Sequence, residues 1–155
     1  MSVKITGKET LKPTSKALHD KYAYTRYTAV AREESDHLTA SIYEVPPGKA
    51  AYPYHYHTSC AELFYIISGT GELTTPAGKR RVKAGDILYF PPDETGAHKL
   101  VNLSDTQALA YLDVDTLAKA DVCFYPDSKK VGVLVAGRES AFFTESSNVD
   151  YYQDE

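Results

Sequence analysis

Three histidines and one glutamate are the residues of this sequence best suited to chemistry. His55 and His57 stand two apart in YPYHYH, so on an extended strand their imidazoles share a face. Glu62 follows after the segment TSCA, which can turn and bring Glu62 in on a neighbouring strand. His98, in PPDETGAHKLVN, is the only histidine after this segment. Together these four residues predict a metal site.

The predicted ligand set indicates which metals are suitable. Three neutral nitrogens and one carboxylate suit the divalent transition metals Zn, Fe, Mn or Ni, whereas Ca and Mg prefer more oxygen ligands. Open positions would remain for water or substrate, as in catalytic or ligand-binding sites. The alternative is that the alternating histidine pair belongs to an ordinary strand and binds no metal.

The elements that must position these residues are short strands. From residue 38 onward, alternating and β-branched segments are interrupted by Gly and Pro turns, which predicts an all-β sandwich or barrel. We expect a single domain with an N-terminal arm and one strand in residues 1–37, a barrel core in 38–114 and a C-terminal extension packed on the barrel in 115–155. Residues 114–122 are a weak helical candidate.

Two segments then point to a known family. GKAAYPYHYHTSCAELFYIISG resembles the first motif of the cupin superfamily, and GDILYFPPDETGAHKLVN resembles the second. The motif residues occur in the family's order: Gly48, His55, His57, Glu62 and Gly69, then Gly85, Pro91, Gly96, His98 and Asn102. The second motif is two residues longer than usual, as though Asp93 and Glu94 were inserted. The segment CFYPDSKKVGV resembles a stretch of one poorly characterised branch of single-domain cupins.

The resemblance implies a fold and a site. The fold is a double-stranded β-helix, the cupin or jelly-roll barrel, and His55, His57, Glu62 and His98 hold a metal in its mouth. The resemblance therefore implies a metal-dependent enzyme that acts on a small organic molecule. It does not imply the reaction, because cupins include dioxygenases, isomerases and decarboxylases. The alternative is a non-catalytic metal or small-molecule binding protein, because no Lys, Arg or second carboxylate stands beside the ligands in sequence.

Strand parity predicts the walls of the site. Phe64 and Ile66 share the face of Glu62, and Leu100 and Asn102 share that of His98, so we expect a largely apolar pocket. Such a pocket favours a ligand with one chelating end and one apolar end. Cys60 or Asp93 would fill the open metal position if the site is closed.

Outward-facing tyrosines predict self-association. By the same parity Tyr52, Tyr54 and Tyr56 point away from the metal, as does Tyr65. Tyrosine is favoured at protein interfaces, so we expect a homodimer in which the arm or an edge strand covers the partner's sheet.

Composition excludes several classes of partner. The formal charge is −4 and the C-terminal segment is acidic, which disfavours nucleic acid. No apolar run approaches the roughly 18 residues of a membrane helix, and the first residues lack the apolar segment of a signal peptide, so we expect a cytoplasmic protein with no membrane contact. Cys60 and Cys123 are expected to be reduced.

Overall fold

Residues 3–154, the range that the computed structural model describes, form thirteen β-strands joined by turns and short 3₁₀ helices. The strands are β1 Pro13–Leu18, β2 Tyr22–Val30, β3 Leu38–Val45, β4 Tyr56–His57, β5 Glu62–Ser68, β6 Thr70–Thr75, β7 Gly78–Lys83, β8 Ile87–Phe90, β9 Lys99–Asn102, β10 Leu109–Thr116, β11 Ala120–Tyr125, β12 Lys130–Val135 and β13 Ala141–Thr144. This range contains no α-helix, and so no helix long and apolar enough to cross a membrane. The all-β prediction is confirmed.

The strands form three sheets. One has six strands in the order β1-β2-β3-β10-β5-β8, a second has β13-β12-β11-β4, and a third has β7-β6-β9. Neighbours that are distant in sequence, such as β3 and β10, pair antiparallel along their whole length. These crossovers give the double-stranded β-helix that the two motifs imply.

Alternation along the strands separates the barrel interior from its outer surface. On β5 the side chains of Glu62, Phe64 and Ile66 are buried, while Leu63 and Tyr65 are exposed. The buried positions of the neighbouring strands complete one apolar core: Tyr24, Tyr43, Val45, Ala51, Phe64, Ile66, Leu73, Val82, Phe90, Leu100, Leu109 and Tyr111. Glu62 lies at the start of β5, so the inward carboxylate stands at one end of this core.

Both flanking segments contain more strand than the sequence predicts. The N-terminal part supplies β1 in addition to the expected strand near residue 22, and both belong to the six-stranded sheet.

Residues 114–122, the helical candidate, are not helical. They form the end of β10, a short turn and the start of β11. Pairing with neighbouring strands decides these segments, because their local periodicity is weak.

The expected orientation of Tyr52 is wrong. Only Tyr56 and His57 of the YPYHYH segment are strand, so the parity argument does not extend back to residue 52. Tyr52 packs against the core and its hydroxyl lies 2.9 Å from that of Tyr43. Tyr56 stacks on Phe124, with ring centroids 5.1 Å apart. The outward orientation of Tyr65 is confirmed, with 42% of the residue exposed.

Candidate metal centre

The four predicted side chains are brought together from three sheets. His57 lies on β4, Glu62 begins β5, and His98 stands one residue before β9. His55 joins His98 through two backbone hydrogen bonds, 3.1 Å from the His55 nitrogen to the His98 oxygen and 2.9 Å in the opposite direction. This backbone bridge connects the two sequence motifs.

The turn before His98 accommodates the two additional residues of the second motif. Residues Glu94–Gly96 form a 3₁₀ turn, and the Asp93 carboxylate accepts a 2.8 Å hydrogen bond from the Thr95 backbone N–H. A Cβ atom on Gly96 would lie 2.1 Å from the Pro91 carbonyl oxygen, so only glycine fits there. Asp93 and Glu94 are exposed on this turn, and neither belongs to the groups of side chains able to hold a metal among the described residues.

Three imidazoles converge on one carboxylate oxygen. The Nε2 atoms of His55 and His57 each lie 3.9 Å from Glu62 Oε2, and that of His98 lies 3.5 Å from it. Because metal–ligand bonds to nitrogen and oxygen are about 2.0–2.2 Å, ligand atoms around one ion stand roughly 3–3.5 Å apart. The distances from Glu62 to the three rings are therefore only slightly longer than in a loaded site. The ligand atoms of His55, Glu62 and His98 also lie within 4.8 Å of one another, whereas His57 forms such a group with His55 and Cys123.

Hydrogen bonds on the far side of each ring determine its tautomer. His55 Nδ1 lies 2.9 Å from the Pro53 carbonyl oxygen, and His98 Nδ1 lies 2.9 Å from that of Gly96. A carbonyl oxygen only accepts, so Nδ1 carries the proton in both rings. The Nε2 lone pairs are consequently directed to the centre of the cluster, as metal binding requires.

Asp121 holds the third imidazole and was not identified from the sequence. Its Oδ2 atom lies 2.5 Å from His57 Nδ1, and its Oδ1 accepts backbone N–H groups of Thr58 at 3.1 Å and Ser59 at 2.8 Å. Burial is the largest single influence and acts against ionisation. The hydrogen bond and charge of His57, together with the N–H groups of Ser59 and Thr58, outweigh it and lower the pKa of Asp121. One carboxylate thus orients His57 and fixes the turn that leads to Glu62. No sequence pattern marks it, because strand pairing of β11 with β4 creates the contact.

The electrostatics of the cluster suit a cation. Burial lowers the pKa of His55 to about 4 and that of His98 well below its ordinary value, while burial raises the pKa of Glu62 well above its own. His98 Nε2 is buried without a hydrogen-bond partner. Such an atom costs free energy unless a ligand satisfies it. The donor set of three nitrogens and one oxygen fits a divalent transition metal.

Two cysteines lie close to the cluster, and both are free and buried. The Sγ atom of Cys123 is 4.0 Å from His57 Nε2, and these two residues with His55 form a further group able to hold a metal. Burial raises the pKa of Cys123 to about 12, so without a metal it is a neutral thiol. Cys60 lies in the turn after His57. Cys123 is therefore better placed to close the site than Cys60 or Asp93, the two residues that the closed-site alternative names.

The apolar pocket expected from strand parity is filled. Phe64 and Leu100 border a cavity of only about 10 Å³ beside His55 and His98. That volume barely admits one water molecule. Ile66 has no exposed surface. The Asn102 amide donates hydrogen bonds to two backbone carbonyls, so it serves the fold. The larger space lies beyond Glu62, among polar side chains.

Comparison with known protein families matches the part of the chain that contains both motifs. A family profile described as a cupin domain matches residues 41–115. A curated relative, an uncharacterised protein of Methanocaldococcus jannaschii, is 37% identical over 51 residues, which are 33% of this chain and 39% of the relative. The chain therefore matches well under two thirds of that relative's length.

Solved structures resemble nearly the whole chain. A sugar phosphate isomerase of the cupin superfamily from Silicibacter pomeroyi has a TM-score of 0.79 at 17% identity, covering 90% of this chain and 91% of its own. A candidate sugar phosphate isomerase from Acidithiobacillus ferrooxidans has a TM-score of 0.70 at 25% identity, covering 81% and 80%. At such identities the likeness establishes the fold and not the activity.

Proposed function

The chain belongs to the cupin superfamily, and from that premise we propose that it is a metal-dependent enzyme acting on a small organic molecule. One observation carries the proposal: three imidazole Nε2 atoms lie within 3.9 Å of a single buried carboxylate oxygen, that of Glu62. A packing role alone does not require such convergence, and it leaves His98 Nε2 without a partner.

The chain's own residues prepare the site for this role. Backbone carbonyls and Asp121 hold the three rings with Nε2 directed inward, so little reorganisation accompanies metal binding. A bound divalent transition metal would supply a Lewis acid that polarises a substrate oxygen. Burial of His55 and His98 keeps competing water away from one side, while the space beyond Glu62 stays accessible.

The similar structures support an enzyme without fixing its reaction. Two of them carry the name sugar phosphate isomerase, although neither exceeds 25% identity to this chain. Because one fold supports many reactions, the substrate must be argued from the residues around the site.

Metal content of purified variants tests the proposal. Elemental analysis after dialysis against Zn, Co, Mn or Ni should give about one equivalent for the wild type and far less for His57→Ala and His98→Ala. His37→Ala is the matched control, because His37 is exposed and outside the cluster. Equal metal content in all four proteins would contradict a metal-dependent function.

A second candidate function, a non-catalytic metal-binding protein, is favoured by Cys123. Its thiol is 4.0 Å from His57 Nε2, close enough to become a metal ligand after a small shift. A thiolate there would close a position that a substrate needs. The two candidates therefore differ in whether Cys123 binds the metal.

Cobalt spectroscopy separates the two candidates. In the closed site, the Co-loaded protein should show a thiolate-to-metal charge-transfer band that disappears in Cys123→Ser. In the open site, the band is absent and the ligand-field spectrum changes when a chelating ligand is added. Cys60→Ser is the control, since Cys60 is also free and buried.

We further propose that the protein is a homodimer, through a surface that includes Tyr65 but not Tyr52, Tyr54 or Tyr56. The apolar patch, defined as Leu63, Tyr65 and Ile67 of β5 with Ile87 and Tyr89 of β8, has exposed fractions from 37% to 68%. Leu63 pairs with Tyr89 and Tyr65 with Ile87, so the patch is continuous. In the described residues β8 is an edge strand. An edge and an apolar face together suit a symmetric partner.

Light scattering tests the dimer. We expect twice the 17.1 kDa chain mass for the wild type and for Tyr151→Glu, a control at a tyrosine that is 86% exposed. Tyr89→Glu places a charge in the apolar patch and should yield monomers. A wild-type mass of one chain would contradict the dimer.

We also propose a cytoplasmic location. The two free thiols support it, because cysteines stay reduced in the cytoplasm.

A further inference from the structure

The largest space beside the metal centre is a polar cavity inside the six-stranded sheet. It measures about 500 Å³, within the range of small-ligand sites. Its eleven lining residues include Val30 of β2, Thr39 of β3 and the turn residues Ala31, Arg32 and Glu33. The other six are Arg26 and Thr28 of β2, Ser41 and Tyr43 of β3, and Asp113 and Asp115 of β10. No sequence motif includes any of these last six residues.

Buried polar atoms in the wall have no partner within the protein. Arg26 Nε, Asp113 Oδ1 and Asp115 Oδ1 are shielded from solvent and make no hydrogen bond. Asp113 is only 6% exposed. Burial raises the pKa of Asp113, so its carboxyl group can share a proton with that of Asp115. The three atoms belong to residues that line one cavity, and their unmet hydrogen bonds are costly for folding alone. A ligand in the cavity would supply these hydrogen bonds after a small shift of the side chains.

The cavity reaches the metal centre. Asp115 on β10 is directly opposite Glu62 on β5, and the carboxylate oxygens of Glu62, Asp113 and Asp115 lie within 4.8 Å of one another. A smaller cavity of about 50 Å³ is lined by His57 and Glu62 and shares Asp115 and Arg32 with the large one. A molecule in the large cavity would therefore stand next to the metal ligands.

The wall chemistry defines the class of ligand. Carboxylates such as Asp113 and Asp115 accept hydrogen bonds from hydroxyl groups, and the guanidinium groups of Arg26 and Arg32 match a carboxylate or phosphate. The hydroxyl of Ser41 adds a neutral partner. A ligand with an apolar end, expected from strand parity, would leave all of these groups unpaired.

Resting on the proposed metal-dependent function, we propose that this cavity binds a small polyhydroxylated acid, with its hydroxyl groups at Asp113 and Asp115 and its anionic group at Arg26. The acid is a carboxylate or a phosphate ester, since both present oxygen atoms that a guanidinium binds in the same way. The end nearest Asp115 lies against Glu62 and the metal.

Four six-carbon probes test the ligand class by calorimetry on the Zn-loaded protein. Gluconate and glucose phosphate carry hydroxyls and an anion, sorbitol lacks the anion, and hexanoate lacks the hydroxyls. We expect gluconate or glucose phosphate to bind at least about tenfold more tightly than sorbitol and hexanoate. Whichever acid binds more tightly identifies the anionic group. Equal binding of all four probes, or binding of none, would overturn the proposal.

Variants locate the probe in the cavity. Arg26→Gln should lower affinity for the preferred acid about tenfold or more and leave sorbitol unchanged, whereas Arg80→Gln, at an exposed arginine on β7, should change neither. Ser41→Leu fills the cavity without altering a charge and should abolish binding. Unchanged acid binding in both Arg26→Gln and Ser41→Leu overturns the assignment.

Metal content distinguishes this failure from failure of the proposed function. Circular dichroism checks folding of each variant, and Arg26→Gln and Ser41→Leu should keep the wild-type metal stoichiometry. Loss of acid binding with metal retained supports the cavity. Metal retained in both His57→Ala and His98→Ala would count against the metal-dependent function itself, whatever the probes show.

Discussion

The histidine cluster and the polar cavity are neighbours, but they are built in opposite ways. Each imidazole in the cluster is held from behind by a carbonyl or by Asp121, and the rings are packed closely around Glu62. In the cavity, Arg26 and Asp113 have buried atoms without partners around about 500 Å³ of space. The cluster is prepared for one small ion, and the cavity for a larger polar molecule.

Glu62 joins the two regions, since it belongs both to the His55 and His98 group and to the Asp113 and Asp115 group. A side chain shared in this way couples the ion to whatever occupies the cavity. The difference between the regions can therefore be tested by variants that affect one and spare the other.

The largest effect is expected from removing a ligand. His98→Ala should lower metal affinity by more than about 100-fold, because loss of a direct donor exceeds the 10- to 100-fold cost of removing a partner behind one. Arg26→Gln, in the cavity wall, should change it by less than about threefold. Competition with a chromophoric chelator measures both. Similar losses of metal affinity in the two proteins would contradict the proposed difference between the histidine cluster and the cavity.

A smaller effect is expected at Asp121. Asp121→Asn keeps the side-chain shape but removes the charge that orients His57, so metal affinity should fall by about 10- to 100-fold. The same chelator competition applies. Asp127→Asn is the matched control on an exposed turn and should bind metal like the wild type. An unaffected Asp121→Asn protein would mean that His57 is not a ligand.

The proton balance of metal binding is expected to depend on Glu62. Burial raises its pKa, so in the window above the ordinary 4.5 the metal-free protein keeps a proton that the metal must displace. Affinity should then rise about tenfold per pH unit in that window. The pKa of His55 is about 4, so its ring is already neutral there.

Calorimetry in buffers of different ionisation enthalpy measures this proton. In the window above pH 4.5, the wild type should release about one proton more per metal than Glu62→Gln. Glu62→Gln is the control, because its amide has no proton to release. Equal proton release by the two proteins would assign the proton to another group.

The smallest effect concerns the cavity alone. Burial raises the pKa of Asp113, so as pH rises above the ordinary 3.8 the unfolded chain loses its proton first and folding stability falls. Asp113→Asn removes this loss and should stabilise the metal-free protein by about 1 kcal/mol at neutral pH, with no gain below about pH 3.8. Urea unfolding at neutral pH and below about pH 3.8 measures this difference in the free energy of unfolding.

Asp105→Asn provides the surface control for that measurement. Asp105 is exposed in the loop before β10, and its replacement should change stability by no more than about 0.5 kcal/mol at either pH. A destabilised Asp113→Asn protein would show that the carboxylate is satisfied in a way that the amide cannot reproduce.

Much of the fold was predictable from the sequence, because turns and alternation are local properties. Gly and Pro mark the strand ends, and the two motifs place His55, His57, Glu62 and His98 in family order. The structure brings these four side chains together, and their ligation of a metal stays a prediction. Parity also held where a strand is long, as on β5, where Tyr65 points outward.

Parity failed where the strand is short. It placed Tyr52 outside, although β4 contains only Tyr56 and His57. It also assigned Phe64 and Ile66 to an open pocket, because alternation indicates which face is inward but not whether that face is filled. The volume of a cavity depends on side chains from several strands, so a local sequence pattern does not predict it.

The sequence by itself determined the strand pattern and the candidate ligands, since these depend on neighbours a few residues away. Only the tertiary structure decided that Asp121 supports His57, that Cys123 is the nearer thiol, and that Arg26 and Asp113 line one cavity. These contacts join β11 to β4 and β2 through β3 to β10. They depend on antiparallel pairing between segments far apart in the chain, which the energetics of the whole barrel selects.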